Sequence, residues 1–170
     1  VLTFPLIWVG GLVTTTDAGM AVPDWPSTYG YNMFLYPWES WLLGPWDLFI
    51  EHGHRLLGAL VGMVTIALMV VVLKTDARSW MRKLVIVALV AVIAQGILGG
   101  VRVRLNDVTL AMVHGCTGPA FLVLTTIIAV MFSTFWQNPV STELSAAEAD
   151  NKNEQNEDRE VIEDDKQHFN

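Results

Sequence analysis

Residues 49–73 read FIEHGHRLLGALVGMVTIALMVVVL, in which four polar side chains directly precede eighteen uncharged and almost wholly apolar residues. An apolar stretch of about this length is typical of a helix that crosses a lipid bilayer. Two more such stretches follow, so the sequence predicts complete spans at about 46–73, 84–101 and 108–135. The apolar runs are continuous and do not alternate with polar positions, which favours membrane helices over barrel strands.

The charge of the chain is concentrated at one end. The protein has 170 residues, of which 52% are hydrophobic, with one cysteine and a net charge of −7. Residues 141–170 contain three basic and ten acidic residues, which accounts for the whole excess. Such a segment is too polar to bury a core. We therefore predict an all-α membrane domain, residues 1–137, a disordered acidic tail, residues 138–170, and no nucleic-acid partner.

The apolar stretch at the start of the sequence is shorter than the others. About thirteen mainly apolar residues, VLTFPLIWVGGLV, precede the first polar cluster, whereas a spanning helix needs roughly 20. A signal peptide is one alternative, but the stretch has neither a basic region nor a small-residue cleavage site. We therefore expect a clipped first helix whose beginning lies outside this sequence, and with it a four-helix transmembrane bundle.

The distribution of basic residues predicts the orientation of the bundle. Lys74, Arg78, Arg82 and Lys83 all lie in the short connection between the second and third helices, whereas segment 14–48 has no Lys or Arg. Under the positive-inside rule the basic connection and the tail are cytoplasmic, and segment 14–48 is external. That segment is rich in Trp, Tyr and Pro, which is typical of a structured loop at the membrane interface.

Helical geometry divides the polar cluster that precedes the first complete span. Glu51 and His54 are three residues apart and lie on one face of a helix, so they can serve one site. His52 is rotated about 200° from His54. We expect His52 to face lipid headgroups or the aromatic loop instead.

A second intramembrane histidine, His114, is the only ionisable residue between Val108 and Phe135. At 1.5 Å per residue, His54 and His114 stand about 30 and 34 Å above the cytoplasmic ends of their helices. Two histidines at one depth, on alternate helices of a bundle, indicate a haem site with two axial histidines. Zinc fits less well because no third ligand lies at that level, and a proton relay that uses Glu51 is the other alternative.

Three arginines lie at the same external end of the predicted bundle. Arg55 follows His54 directly, while Arg102 and Arg104 lie in the predicted short external turn RVRLND between the third and fourth helices, on the side that the positive-inside rule disfavours. A guanidinium matches a carboxylate with two parallel hydrogen bonds, so these residues are candidates to bind haem propionates. The alternative is that their side chains simply extend to the membrane surface.

Three stretches, in this order and spacing, resemble the haem A synthase family of integral membrane proteins. They are GGLVTTTDAGMAVPDWPSTYG at 10–30, FIEHGHRLLGALVG at 49–62 and GGVRVRLNDVTLAMVHGCTGPAF at 99–121. The resemblance covers roughly residues 8–135. It implies an eight-helix protein with two similar four-helix halves, of which this sequence matches the first, and a location in the bacterial cytoplasmic membrane.

The resemblance also implies a reaction. Members of the family oxidise a ring methyl of haem O to the formyl group of haem A for cytochrome oxidase, one half holding haem O and the other a haem b. His54 and His114 match a histidine pair, and Glu51 matches an acid that could accept a proton or orient water. The implied partners are haem O, haem O synthase, the oxidase under assembly, membrane lipid, and a second half or another copy of the chain.

Two other functions remain compatible with the same residues. A pair of axial histidines would also suffice for a haem carrier or electron-transfer module without catalysis. A purely structural assembly partner of an oxidase would need no haem. Glu51 separates the first alternative from the enzyme, because a carrier has little use for a buried acid one turn from a ligand.

Overall fold

A computed structural model describes residues 2–133, 136, 146 and 149–152 of the chain. The described part is helical, with one isolated β-bridge between Thr28 and Tyr31 and no strand. The chain divides into two compact units, residues 1–128 and 129–170. Apart from Ala146 and the helical residues 149–152, the predicted disordered tail lies outside the described residues.

Five α-helices make up the described fold. They are α1, Thr3–Thr15; α2, Trp38–Leu42; α3, Trp46–Thr75; α4, Ser79–Leu105; and α5, Val108–Met131. Two 3₁₀ turns, Ala18–Met20 and Met33–Leu35, lie between α1 and α2.

The three predicted membrane spans are confirmed as helices. α3, α4 and α5 contain 30, 27 and 24 residues and are long and apolar enough to cross a membrane. At 1.5 Å per residue they extend about 45, 40 and 36 Å, against a hydrocarbon core of about 30 Å. The helix predicted in first place is α1, whose 13 residues extend only about 20 Å.

The boundaries differ from the predicted ones at α4. This helix begins at Ser79, five residues before the predicted start, and continues to Leu105. The sequence predicts Arg82 and Lys83 in the basic connection, but long basic side chains at a helix end can reach the membrane surface while the backbone stays helical.

Capping residues explain where the long helices turn. α3 starts directly after Pro45, with Asp47 in its first turn, where an acidic side chain favours the positive end of the helix dipole. Asn106 ends α4 in the left-handed conformation, φ 48°, which Asn tolerates. The carboxylate of Asp107 then accepts the Leu110 amide at 2.9 Å and caps the start of α5. Two adjacent residues therefore reverse the chain.

Helix α3 is the centre of the bundle. It packs closely along α4 and α1, and Val61, Val72, Val85 and Ala88 are among the fully buried side chains. α5 is tied to its neighbours by polar contacts, such as the hydrogen bond of 3.2 Å between the hydroxyls of Thr3 and Thr125. Many large apolar side chains of α3, α4 and α5, such as Met63, Ile93 and Met112, are exposed, as expected for helices surrounded by lipid.

Residues 16–45 fold over one end of the bundle, where α1 ends, α3 begins and α4 meets α5. We call this end the loop end. The turn at 28–31 is closed by two reciprocal backbone hydrogen bonds of 3.0 Å between Thr28 and Tyr31, with Gly30 at φ 79°. Gly30 adopts this conformation without the steric cost that a Cβ would add.

Candidate functional site

The structure brings His54 of α3 and His114 of α5 together at the loop end. Their ring centroids are 6.4 Å apart and their planes are inclined at 82°. The Nδ1 atom of each ring is buried and has no hydrogen-bond partner among the described residues. Each ring also approaches a backbone carbonyl of a neighbouring helix, that of Leu6 for His54 and that of Gln95 for His114. The agreement in depth that was predicted from sequence is confirmed.

Two glycines make room for the rings. A Cβ at Gly10 of α1 would lie 2.9 Å from Cε1 of His54, and one at Gly99 of α4 would lie 3.2 Å from Cε1 of His114. Real Cβ atoms almost never show the first distance, and the second is tighter than most real Cβ contacts, so each ring rests directly on the backbone of a neighbouring helix. The pair is therefore bounded by α1 on one side and α4 on the other.

Arg102 lies near the histidine pair with part of its guanidinium unsatisfied. Its Nε is buried and has no hydrogen-bond partner among the described residues. A terminal nitrogen of the same side chain occupies the space beside Gly19, 2.9 Å from where a Cβ would stand. The charge of Arg102 is close enough to act on both histidine rings and on Glu51. A buried cation with an unused donor is suited to an anionic ligand group.

Glu51 is almost fully buried, with 2% of its surface exposed. One carboxylate oxygen accepts the Val22 amide at 2.8 Å, and the other accepts Nη2 of Arg55 at 2.7 Å. The structure therefore places Glu51 one turn from His54, as predicted, with both oxygens engaged by a loop amide and an arginine. Its predicted part in the reaction stays a prediction.

Arg55 is bound by the loop at several points. Besides Glu51, its terminal nitrogens donate to the carbonyls of Val22 at 2.6 Å, Asp24 at 2.7 Å and Ser27 at 3.1 Å. Only 9% of its side chain is exposed. These four hydrogen bonds fix residues 22–27 to the first turns of α3, and they occupy the donors that were predicted to reach propionates.

His52 lies against the aromatic loop, one of the two positions predicted for it. Its Nδ1 is hydrogen-bonded to the Thr28 hydroxyl at 3.1 Å, and its ring contacts those of Tyr36 and Trp41, with centroids 5.2 and 5.3 Å away. With 1% of its surface exposed, it belongs to the packing between the loop and α3.

One further candidate, Arg104, and the single cysteine have exposed side chains. Arg104 is exposed at the end of α4, and Cys116 is exposed on α5. Among the described residues no group of three or more His, Cys, Asp or Glu side chains is placed to hold a metal ion by itself. The site is defined by two histidines, two glycines and one arginine.

The geometry of the histidine pair fits a metal held between two imidazoles. With metal–nitrogen distances of about 2 Å, two imidazoles on opposite sides of one metal ion have ring centroids roughly 6 Å apart. The observed 6.4 Å agrees with this value. A ligating histidine usually gives its second ring nitrogen to a carbonyl or carboxylate, and Leu6 and Gln95 offer such carbonyls. The residues present therefore fit a haem with two axial histidines.

Trp25 was not predicted as part of the site. Its indole lies against the backbone of Gly100, so that a Cβ there would overlap two ring carbons. The adjacent Gly99 contacts His114. The only signal in the sequence was the paired glycine of GGVRVR, which is also typical of ordinary helix packing.

The fold and the site define a helical membrane protein with two facing histidines at one end of its bundle. The family model COX15-CtaA, cytochrome oxidase assembly protein, matches residues 46–157, from the start of α3 to beyond the end of α5. The chain belongs to this family, which gives it a role in cytochrome oxidase assembly. No curated protein and no solved structure matches the chain.

Proposed function

We propose that the chain binds haem at the loop end through His54 and His114 and takes part in the oxidation of haem O to haem A. The observation that carries the proposal is the pair of buried Nδ1 atoms without partners, on rings 6.4 Å apart. Folded proteins satisfy most buried polar groups, so two unsatisfied buried atoms on neighbouring rings point to an absent ligand.

The residues of this chain would act by binding and orientation. Bound haem would supply iron-centred redox chemistry. Conversion of a ring methyl to a formyl group takes up one oxygen atom and removes four electrons, so it also requires an external oxidant. His54 and His114 would hold the haem iron, with their rings fixed by the backbones at Gly10 and Gly99. Arg102 offers an unused donor to a propionate, and Arg104 lies at the same end of α4 as a second cation.

Arg55 and Glu51 require a separate assignment. The propionate contact predicted for Arg55 would compete with its four present acceptors, and the proton transfer predicted for Glu51 would compete with two donors. Their contacts favour a role that acts through the loop.

Membership of the family supports a proposal for the rest of the architecture, the partners and the membrane in which the reaction takes place. We propose that α1, α3, α4 and α5 form the first of two four-helix halves, and that the second half comes from the same polypeptide or from another copy. Haem O synthase and the oxidase under assembly are the proposed partners. The basic connection at 74–83 supports the proposal that the loop end lies outside the bacterial cytoplasmic membrane and the tail inside.

A non-catalytic haem-binding or electron-transfer module is the second candidate function. One observation favours it: among the described residues no carboxylate with free oxygens is identified beside the histidine pair, since both oxygens of Glu51 are engaged. A carrier needs only the two ligands and a closed surrounding.

The test uses purified protein in detergent, loaded with haem, and three single variants. We expect His54→Ala and His114→Ala each to lose the low-spin absorption and electron paramagnetic resonance signals of two axial histidines. His52→Phe, two residues from His54, is the matched control and should keep them. Equal spectra in all four proteins would contradict the ligand assignment.

The reaction is tested separately by incubation of the full chain, in membranes that contain haem O, followed by extraction and chromatography of the haems. Formation of haem A that depends on both histidines supports the enzyme. Haem binding without any haem A supports the carrier.

A further inference from the structure

The first turns of α3 and the loop are joined by a closed set of buried hydrogen bonds. Glu51 and Arg55 pair with each other at 2.7 Å, and both bind Val22, Glu51 at its amide and Arg55 at its carbonyl. Arg55 extends the contact to the carbonyls of Asp24 and Ser27. The two side chains therefore hold the backbone on both sides of Trp25.

A buried ion pair is retained only when its remaining hydrogen bonds are satisfied. Here the partners are backbone groups of the loop, so the pair and the loop conformation depend on each other. If either charge is removed, the other is left buried without its direct partner, and the loop loses part of its attachment to α3.

Trp25 is the side chain that this attachment positions. Its indole fills the space above Gly100, while the ring of His114 occupies the space beside Gly99. The indole and the histidine ring thus contact consecutive residues of α4, and Arg55 directly follows His54 on α3. Consecutive positions on a helix are rotated by about 100°, so these contacts place the held segment, residues 22–28, at the same end of the bundle as the two histidines.

We propose that Glu51 and Arg55 are positioning residues, which lock Trp25 and segment 22–28 as a cover over the histidine pair. The cover keeps water away from the haem edge at the loop end. The exclusion of water by the cover rests on the proposed haem site. The attachment of the loop by Glu51 and Arg55, which we call the lock, does not. The exposure of a haem to water is one of the factors that set its reduction potential.

The lock is tested without haem, by labelling of a buried cysteine in the loop. Val22 has 0% of its surface exposed, so Val22→Cys in a Cys116→Ser background reports opening of the loop to a water-soluble maleimide. We expect Glu51→Gln and Arg55→Lys to raise the labelling rate by about tenfold or more, since about 1.4 kcal/mol of lost attachment gives that factor.

Matched controls distinguish the lock from general loosening. Glu39→Gln on the surface of α2 and Arg82→Lys at the opposite end of the bundle should leave the rate unchanged. Met20→Cys, which is exposed, should label rapidly in every background. If Val22→Cys prevents folding, protection of the Val22 amide from hydrogen exchange gives the same comparison. Equal rates in wild type, Glu51→Gln and Arg55→Lys would overturn the lock.

The cover is tested in haem-loaded protein by potentiometric titration. Trp25→Ala, Glu51→Gln and Arg55→Lys should all lower the reduction potential, because water stabilises the oxidised, more positively charged form. An unchanged potential with a faster labelling rate would overturn the cover and keep the lock. Absence of haem binding would overturn the proposed function, and the labelling rates would still decide the lock.

Measurement of haem A formation distinguishes a positioning role of Glu51 from direct proton transfer by its carboxylate. If Glu51 acts through Trp25, Trp25→Ala reproduces the loss seen in Glu51→Gln although Glu51 is present. Loss of product in Glu51→Gln with normal product in Trp25→Ala would assign Glu51 to the chemistry and overturn its positioning role.

Discussion

Within little more than one turn of α3, neighbouring side chains meet opposite conditions. Glu51, His52 and Arg55 are each held by partners in the loop, whereas His54 has a buried ring nitrogen without one. The same contrast appears at α5, where His114 shares the condition of His54. Because buried polar groups are normally satisfied by the protein itself, the difference separates residues that build the fold from residues that await a ligand.

The largest effect is expected from a substitution that fills the space occupied by one of the unsatisfied histidine rings. Gly10→Val places a branched side chain where the His54 ring lies, since even a Cβ would stand 2.9 Å from Cε1. We expect haem affinity, measured by titration of the Soret absorbance, to fall by about tenfold or more. Gly11→Val is the matched control, because no atom lies within 4 Å of a Cβ at Gly11. An equal loss in both variants would contradict the arrangement.

A smaller effect, on the free energy of unfolding alone, is expected from a substitution of His52, whose ring nitrogen has a partner in the loop. His52→Phe keeps a ring between Tyr36 and Trp41 but removes the partner of the buried Thr28 hydroxyl. An unsatisfied buried hydroxyl costs about 1–3 kcal/mol of unfolding free energy. Denaturant titration in detergent should show this loss.

Adding Thr28→Val to His52→Phe removes both polar partners and should restore part of that stability. A double variant that is less stable than the sum of the two single ones would count against the pairing of His52 and Thr28. The haem spectrum should not change in any of these variants, which keeps this prediction separate from the first.

The sequence was sufficient for the spans and for the histidine pair, because both follow from regular helical geometry. Rise per residue gave the common depth of His54 and His114, and the angle between successive residues set His52 apart. Charge was a poorer guide to boundaries, since Arg82 and Lys83 lie inside α4 rather than in a loop.

The contacts of the loop could not be predicted in this way. The partners of Arg55 are backbone carbonyls, which every residue has, so no side-chain pattern marks Val22, Asp24 or Ser27 as acceptors. Gly100 likewise acquires its meaning only from Trp25, seventy-five positions earlier in the chain. Long-range contacts of irregular segments leave no periodicity in a single sequence.

The smallest effect is expected at Asp24, which shapes the loop from its partly exposed side. Partial burial raises the pKa of Asp24, but hydrogen bonds from the Gly30 amide, the Ser27 side chain and the Tyr29 amide outweigh it. The pKa therefore lies below its ordinary value of 3.8. A carboxyl with a lowered pKa in the folded state contributes stability that is complete above pH 3.8 and is lost as the pH falls through the folded pKa.

Asp24→Ala should therefore reduce stability slightly near neutral pH, by less than about 1 kcal/mol because the group is largely solvated. The difference from wild type in thermal unfolding midpoint, followed by tryptophan fluorescence, should stay constant down to about pH 4 and shrink below it. Asp76 on the α3–α4 connection provides the contrast. A side-chain hydrogen bond from Arg78 lowers its pKa to about 2, so any difference between Asp76→Ala and wild type should persist to lower pH. A stability difference between Asp24→Ala and wild type that does not change with pH would show that the amides of Tyr29 and Gly30 do not hold the Asp24 carboxylate.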